Sequence, residues 1–497
     1  MCKIIYNIAR QRVTSSLRHI ARLESFNTKI TFTDKESPLN TRAFIPLIGL
    51  LVLSGCSSID KTSNTASAAY VYGTKSVYVP QDNIANYSAA PENYTLVYTE
   101  LLARHGSRAL SSPKYDDISL KIWQAAKEQH ALTPLGEKLG AEIERLIAAN
   151  VKMGYGNLSV LGNQEQIQIG ERMAQRNANL FSQAVQNKQQ ITFEYSGEDR
   201  AKDSGLAFVQ GLKNINPNLA PLISEPVKNK AQLYFHKQDS NKDYQDYVEE
   251  NSQLHAAIDH LFDQPKTHQV AREMLERVYT PAFVDQLAQG KLSFVKVGKK
   301  KPTVYNDVEA AIQLFNLYLI APGLADEAGA QPWSFTQFIT PEESQWMSYV
   351  LDGEDFYEKG PSFSDTNITY KMASVLEDDF FNEIKGVQDG TNTKAAKIRF
   401  AHAETIIPFA AQMQLKGSEK GVSRDTGYTL ETNPWRGSWV SPYSANIQWD
   451  VYKNQAGNLL VKMLYNEKET AFKDSCKPIK TDSYFYQFSE LTRCYGK

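Results

Sequence analysis

The chain has 497 residues, 42% hydrophobic and 22% charged, and its 54 Lys and Arg against 56 Asp and Glu leave a net charge of −2. It is too long for a disulfide-stapled mini-protein, too apolar for disorder and too balanced for a generic nucleic-acid binder. The balance hides unlike parts: residues 1–42 hold eight basic and three acidic side chains and 43–55 hold none, so the 442 residues from Cys56 onward carry −7.

The uncharged run 43–53 is too short to cross a bilayer as a helix, which needs about 20 apolar residues. It suits the apolar region of a secretory signal, and Leu53-Ser54-Gly55-Cys56 resembles a bacterial lipobox, whose Cys becomes the lipidated first residue. The other reading is a buried strand followed by a structural Cys. Residues 1–38 are more than such a signal carries before its apolar part, whereas initiation at Leu39 would leave Asn40-Thr41-Arg42 and then the run. The expectation is that 1–38 are not part of the protein in the cell. The mature chain is then expected in the bacterial cell envelope, attached to a membrane through lipid on Cys56, with Ser57 after it compatible with outer-membrane sorting. Cys2 goes with the leader, which leaves Cys476 and Cys494, either as two free thiols or as a disulfide worth about 3 kcal/mol.

The expected organisation is a leader and signal over 1–55, a polar tether over 56–75, an α/β core over 76–225 and 396–497, and a mostly helical cap inserted over 226–395. A β-branched and aromatic run over 94–103 predicts a buried strand. Thr133-Pro134 offers a cap and a first-turn proline before Leu135, Leu139, Ile143 and Leu146 at helical spacing. Asn163 opens a second predicted helix toward Met173 and Leu180, 191–195 reads as a strand and 201–212 as a helix. Periodicity through the middle is helical, as in Val308, Ile312, Phe315 and Leu319. Strand character returns at 397–402, followed by a helix from Thr405 and a hairpin with arms 447–452 and 459–465.

The first predicted strand ends in Arg104-His105-Gly106-Ser107-Arg108. Two guanidiniums around a His and a Gly make an anion site with a nucleophile inside it: each Arg presents a fork that matches phosphate oxygens, and a neutral imidazole can attack phosphorus. A basic surface turn and a metal-ligand His are the alternatives. No Gly-Lys-Ser/Thr phosphate loop occurs, which disfavours nucleotide hydrolysis.

This five-residue run resembles the signature of the histidine phosphatase superfamily, acid phosphatase branch. The second hallmark of that branch is matched by His402-Ala403-Glu404, whose His-Ala-Glu form is similar to multiple inositol polyphosphate phosphatases. Leu132 to Gly136, Arg200 before Asp203-Ser204-Gly205, and Leu464-Tyr465-Asn466-Glu467 match as well. The resemblance implies an α/β fold, a phosphoglycerate-mutase-like sandwich with a central, mainly parallel sheet flanked by helices, plus the helical cap. It implies a phosphomonoesterase of inositol polyphosphates such as phytate, with no cofactor and no metal. His105 would be the nucleophile, Arg104, Arg108, Arg200 and His402 would hold the phosphate, and Glu404 would protonate the leaving group, which needs a carboxyl with raised pKa or an acidic working pH. For Arg200 the other reading is an exposed salt bridge at a helix start. His236 and Lys237 are candidates for further substrate contacts, or a solvated patch. Ala109-Leu110 depart from the family pattern, in which Pro follows closely, so the loop after Arg108 is expected to differ. A broad acid or sugar phosphatase is the nearest alternative, and an inactive surface-tethered phosphate binder the alternative of another class.

Overall fold

The run that ends in the signature is strand β1 (Thr95–Arg104), buried over its last seven residues. The computed structural model describes Ala69 and residues 71–497 except Val297, so the leader and signal, Cys56 and the tether up to residue 68 lie outside the described residues. After β1 come α1 (Tyr115–Glu128), α2 (Gly136–Met153), α3 (Val160–Arg176), α4 (Ala178–Asn187), β2 (Ile191–Tyr195), α5 (Asp199–Ile215) and β3 (Val227–Lys228). The middle is helical: α6 (Lys230–Leu233), α7 (Lys242–Glu250), α8 (Ser252–Phe262), α9 (Pro265–Glu276), α10 (Pro281–Ala288), α11 (Asp307–Ile320), α12 (Pro341–Lys359) and α13 (Ser374–Asp389). The chain closes with β4 (Ala396–Ala401), α14 (Ala403–Gln412), α15 (Gly437–Val440), β5 (Asn446–Lys453), β6 (Leu459–Tyr465), β7 (Lys468–Thr470), β8 (Phe485–Gln487) and α16 (Phe488–Tyr495).

Three helices start earlier than the sequence pattern predicts, among them α5, which begins at Asp199 rather than Ala201. α3 begins at Val160 rather than Asn163 because the Ser159 hydroxyl accepts the Gly162 N–H at 3.0 Å, and it stops at Arg176, so Leu180 belongs to α4. α14 begins at Ala403 rather than Thr405, with His402 in the cap position. Thr133 caps as expected, its hydroxyl accepting the Gly136 N–H at 3.0 Å.

One sheet runs β3-β2-β4-β1-β5-β6-β7, with β8 beside β6. Pairs among β3, β2, β4 and β1 are parallel, and every pair from β1–β5 onward is antiparallel. The sheet is therefore mixed, and its parallel character is confined to the half that ends in the signature. Helices cover both faces, as a parallel half requires. On β1, Leu101 and Ala103 pack with Phe193, Ile398, Phe400 and Phe208, while Tyr98 and Leu102 face the larger core with Trp449. On that second face Arg399, fully buried, donates to Glu100 at 2.9 Å and to Asp379 of α13 at 2.6 Å.

The described residues from Ala69 onward belong to one compact unit, and among them 226–395 supply the edge strand β3, helices and isolated bridges such as Phe294 with Val304. Cys476 and Cys494 are disulfide-bonded, with Cα atoms 5.3 Å apart, tying the segment after β7 to α16. Among the described residues no helix is long and apolar enough to cross a membrane.

Candidate active site

Three neighbouring parallel strands end at one edge. β4 lies between β2 and β1, with Arg104 opposite Ala401 and Tyr195 opposite Phe400, so His105, Ser196 and His402 emerge side by side. The His105 N–H donates to Ala401 O and the Ser196 N–H to Phe400 O, each at 3.0 Å. α5 and α14 start at the same edge and bring Arg200 and Glu404 in their first turns. Carboxyl ends of parallel strands, where helix N-termini converge, are where α/β folds hold anionic ligands.

Gly106 seats the signature loop on α3: a Cβ there would lie 2.3 Å from Gly162 O, which only a glycine avoids. Its N–H donates to Ser204 Oγ at 3.1 Å. The next residue is held by Glu165 of α3, a buried carboxylate that the sequence reading missed. Glu165 accepts the Ser107 N–H and hydroxyl, each at 2.8 Å, the Ser444 hydroxyl at 2.8 Å and the Tyr78 N–H at 3.1 Å.

His105 is buried with Nδ1 2.9 Å from Gly106 O. A carbonyl only accepts, so Nδ1 carries the proton and the lone pair is on Nε2. Burial, then the Arg104 and Arg108 guanidiniums, hold its pKa well below the usual imidazole value, so the lone pair persists into acid. Arg104 donates to the Thr74 and Ser441 carbonyls and lies 4.9 Å above the Tyr443 ring. Arg108 donates to Ala109 O at 2.7 Å. Arg200 does make the helix-start contact with Glu198, at 3.7 Å, yet its side chain also lines the cavity. His402 is buried, its ring 5.4 Å from that of His105. Its Nε2 is 2.7 Å from Ser196 Oγ, and its Nδ1 has no protein partner. Ser196 could have been found as a polar residue at the end of a parallel strand; nothing else in the sequence marks it.

A cavity of about 560 Å³ is lined by Arg104, His105, Arg108, Arg200 and Glu404. A second, of about 410 Å³, is lined by His402, His236, Lys237 and again Arg200 and Glu404. The two share Lys359, at the end of α12, which the sequence reading also missed. His236 is buried and Lys237 exposed, and burial pushes the His236 pKa down to about 4. The larger cavity holds six cationic side chains, Lys75, Arg104, Arg108, Lys114, Arg200 and Lys359, and six carboxyls, Glu309, Asp352, Glu354, Asp355, Glu358 and Glu404. Burial pushes Asp352 and Glu354 up to about 7.

Glu404 behaves otherwise. Burial raises its carboxyl, but the Lys359 ammonium, the His402 and His236 rings and its own backbone N–H outweigh burial and hold it well below the usual carboxylate range. Of the two routes open to a proton donor here, a raised pKa is not the one the protein alone supplies. Among the described residues no group of three or more His, Cys, Asp and Glu is arranged to hold a metal ion.

The sequence model of the histidine phosphatase superfamily (branch 2) matches residues 95–466. The chain belongs to this superfamily. Among solved structures, the multiple inositol polyphosphate phosphatase of Bifidobacterium longum, in complex with inositol hexasulfate, is similar at a TM-score of 0.81 and 32% identity, covering 85% of this chain and 97% of that one. The phosphate complex of the same enzyme matches at 0.81 and 31%, covering 86% and 97%. The phytase from D. castellii, at 0.57 and 14% identity over 86% of this chain and 84% of that one, shares the fold. A comparison with curated proteins finds no match. The matched span holds both the 104–108 run and His402, which the fold brings together at one sheet edge.

Proposed function

We propose that the protein hydrolyses phosphomonoesters of inositol polyphosphates through a phosphohistidine on His105. The observation that carries this reading is His105 itself: a buried imidazole, its proton committed to Gly106 O, in a cavity with three arginines and a carboxyl. A binder would need the arginines but neither the oriented lone pair nor the acid. The His105 Nε2 lone pair forms a bond to phosphorus as the ester P–O bond breaks, and the leaving alkoxide takes a proton from Glu404. Arg104, Arg108 and Arg200, with the Nδ1–H of His402 once Ser196 donates to Nε2, stabilise the charge on the non-bridging oxygens. Water then attacks phosphorus, gives its proton to Glu404 and restores His105. Because the protein holds the Glu404 carboxyl low, the proton has to come from an acidic medium or from the rise in pKa that a neighbouring polyanion causes. The inositol substrate class draws support from the B. longum enzyme, crystallised with inositol hexasulfate.

The helices of 226–395 act in this reading as the cap that shapes specificity, and Cys56 as the lipid attachment that holds the enzyme on the cell envelope. A second reading, a sugar phosphatase, draws on the α12 carboxyls, which suit ring hydroxyls better than phosphates. Purified 57–497 should release phosphate from phytate in the presence of a chelator, and His105→Ala should lower release by at least about 10⁴-fold, as loss of a covalent nucleophile does. Release from sugar monophosphates but not from phytate would favour the second reading, and tight phytate binding without release the inactive binder.

A further inference from the structure

Both side-chain hydrogen bonds of Arg104 leave from one nitrogen. Nη1 donates to Thr74 O at 2.6 Å and to Ser441 O, which uses both of its hydrogens, while Nε has no partner among the described residues. A guanidinium held in this way keeps its other edge, Nε–H with Nη2–H, for a ligand, and that edge matches two oxygens of a phosphate. The two carbonyls thus select which side of the fork the ligand meets.

Ser441 follows α15 within the span that the superfamily model matches, but Thr74 does not belong to that span, which begins at residue 95. Thr74 lies in the segment before β1, and this segment reaches the larger cavity, where Gly73, Thr74 and Lys75 form part of the lining. The segment is fastened at both ends. At one end the Val71 N–H donates to Ser344 Oγ of α12 at 3.1 Å, and Val71 O accepts the Tyr318 hydroxyl of α11 at 3.1 Å. At the other end the Tyr78 N–H donates to Glu165 at 3.1 Å and the Tyr78 hydroxyl to Glu467 at 3.0 Å. Between them Ser76 O accepts the Tyr443 N–H at 3.0 Å. Gly73 makes the turn that aims the Thr74 carbonyl: its φ is +49°, in the left-handed region, and a Cβ there would lie 3.2 Å from Asp352 Oδ1.

We infer that residues 71–78 form a positioning strap, whose Thr74 carbonyl fixes the Arg104 fork in the orientation that receives phosphate. The inference rests on the phosphatase reading and deepens it: an arginine of the signature is set by chain that precedes the matched span, so the working site begins before β1. Because the acceptor is a backbone carbonyl, the conformation of the strap decides where it points.

The test is a double-mutant cycle on the full chain. Gly73→Val puts a β-branched residue at positive φ and displaces the carbonyl, and Arg104→Lys keeps the charge but removes the fork. Gly73→Val should lower kcat/KM on p-nitrophenyl phosphate about tenfold in the wild-type background, the scale of one hydrogen bond to a charged group, and less than about twofold in the Arg104→Lys background. A strap that only stabilised the fold would cost the same factor in both. Ser344→Ala releases the far end of the strap outside the cavity lining and is the milder second variant should Gly73→Val fail to fold. It should cost about threefold, again only where Arg104 is present. The same cycle read as the dissociation constant of inorganic phosphate, by calorimetry, should show the same coupling. Equal factors in the two Arg104 backgrounds, or wild-type kinetics and phosphate binding in both strap variants, would overturn the inference. Wild-type protein without activity on phosphate esters refutes the proposed function separately, while the phosphate-binding cycle still decides the role of the strap.

Discussion

Glu165 offers the sharpest check on how the signature loop is held. Each of its oxygens accepts one backbone N–H and one hydroxyl: Oε1 takes Tyr78 N–H and Ser107 Oγ–H, Oε2 takes Ser107 N–H and Ser444 Oγ–H. Glu165→Gln keeps the shape but replaces one acceptor with an NH₂ group. Hydroxyls can rotate away from it, but a backbone N–H cannot, so either Tyr78 or Ser107 is left as a buried donor facing a donor. An unmatched buried donor costs about 1–3 kcal/mol, and losing a bond to a carboxylate lies at the upper end, so the variant should be destabilised by about 3 kcal/mol. The two orientations of the amide differ in their effect on turnover. Facing Tyr78, it spares the loop; facing Ser107, it moves the residue two places from His105 and should lower kcat about tenfold or more. Urea denaturation and kcat on a small monoester read the two quantities separately. Ser444→Ala, which removes one hydroxyl only, should cost about 1 kcal/mol. A Glu165→Gln protein with the wild-type urea midpoint would refute the view that this carboxylate anchors the loop.

Two further outcomes follow from the site and the leader. Lys359 is the foremost charge holding the Glu404 carboxyl down, so Lys359→Met should raise that pKa, and since Glu404 must be protonated to serve as the acid, the alkaline limb of kcat on phytate should move up by roughly 1 pH unit. A p-nitrophenyl ester, whose leaving group needs no proton, should show a smaller shift; an unmoved limb on phytate would remove Lys359 from this role. Full-length protein expressed in a Gram-negative host should incorporate labelled fatty acid and partition with membranes, and Cys56→Ser should abolish both. Label retained in Cys56→Ser would exclude Cys56 as the attachment point.

Much of the core could be read from sequence because its strands are short apolar runs with sharp ends. The strand over 191–195, the hairpin arms and the signature strand fall within a residue of expectation, and the order of the two histidine motifs pointed to one site. Other parts were invisible for physical reasons. Three-residue strands such as β7 and β8 carry no alternation to detect. Ser159 captures a helix start that apolar periodicity places a turn later. Glu165, Ser196 and Lys359 act on the site only through tertiary approach, and in sequence each is an ordinary polar residue on or beside a regular element. His236 reads equally well as a solvated residue, and it is packing of its ring against Tyr234, at 4.6 Å between centroids, that buries it.

The position of β4 between β2 and β1 has a consequence for the life of the chain. β1 and β2 are made first, but neither can pair with the other; both wait for residues 396–401, about 300 residues after β1. Until then the His105 loop borders an unfilled slot, and the strand that fills it also delivers His402 and Glu404. Catalytic competence therefore arrives in one late step, as an all-or-none report that the middle of the sheet has closed. A nascent chain caught short of that step would display open strand edges on β1 and β2, which makes it a substrate for chaperones rather than a slow enzyme.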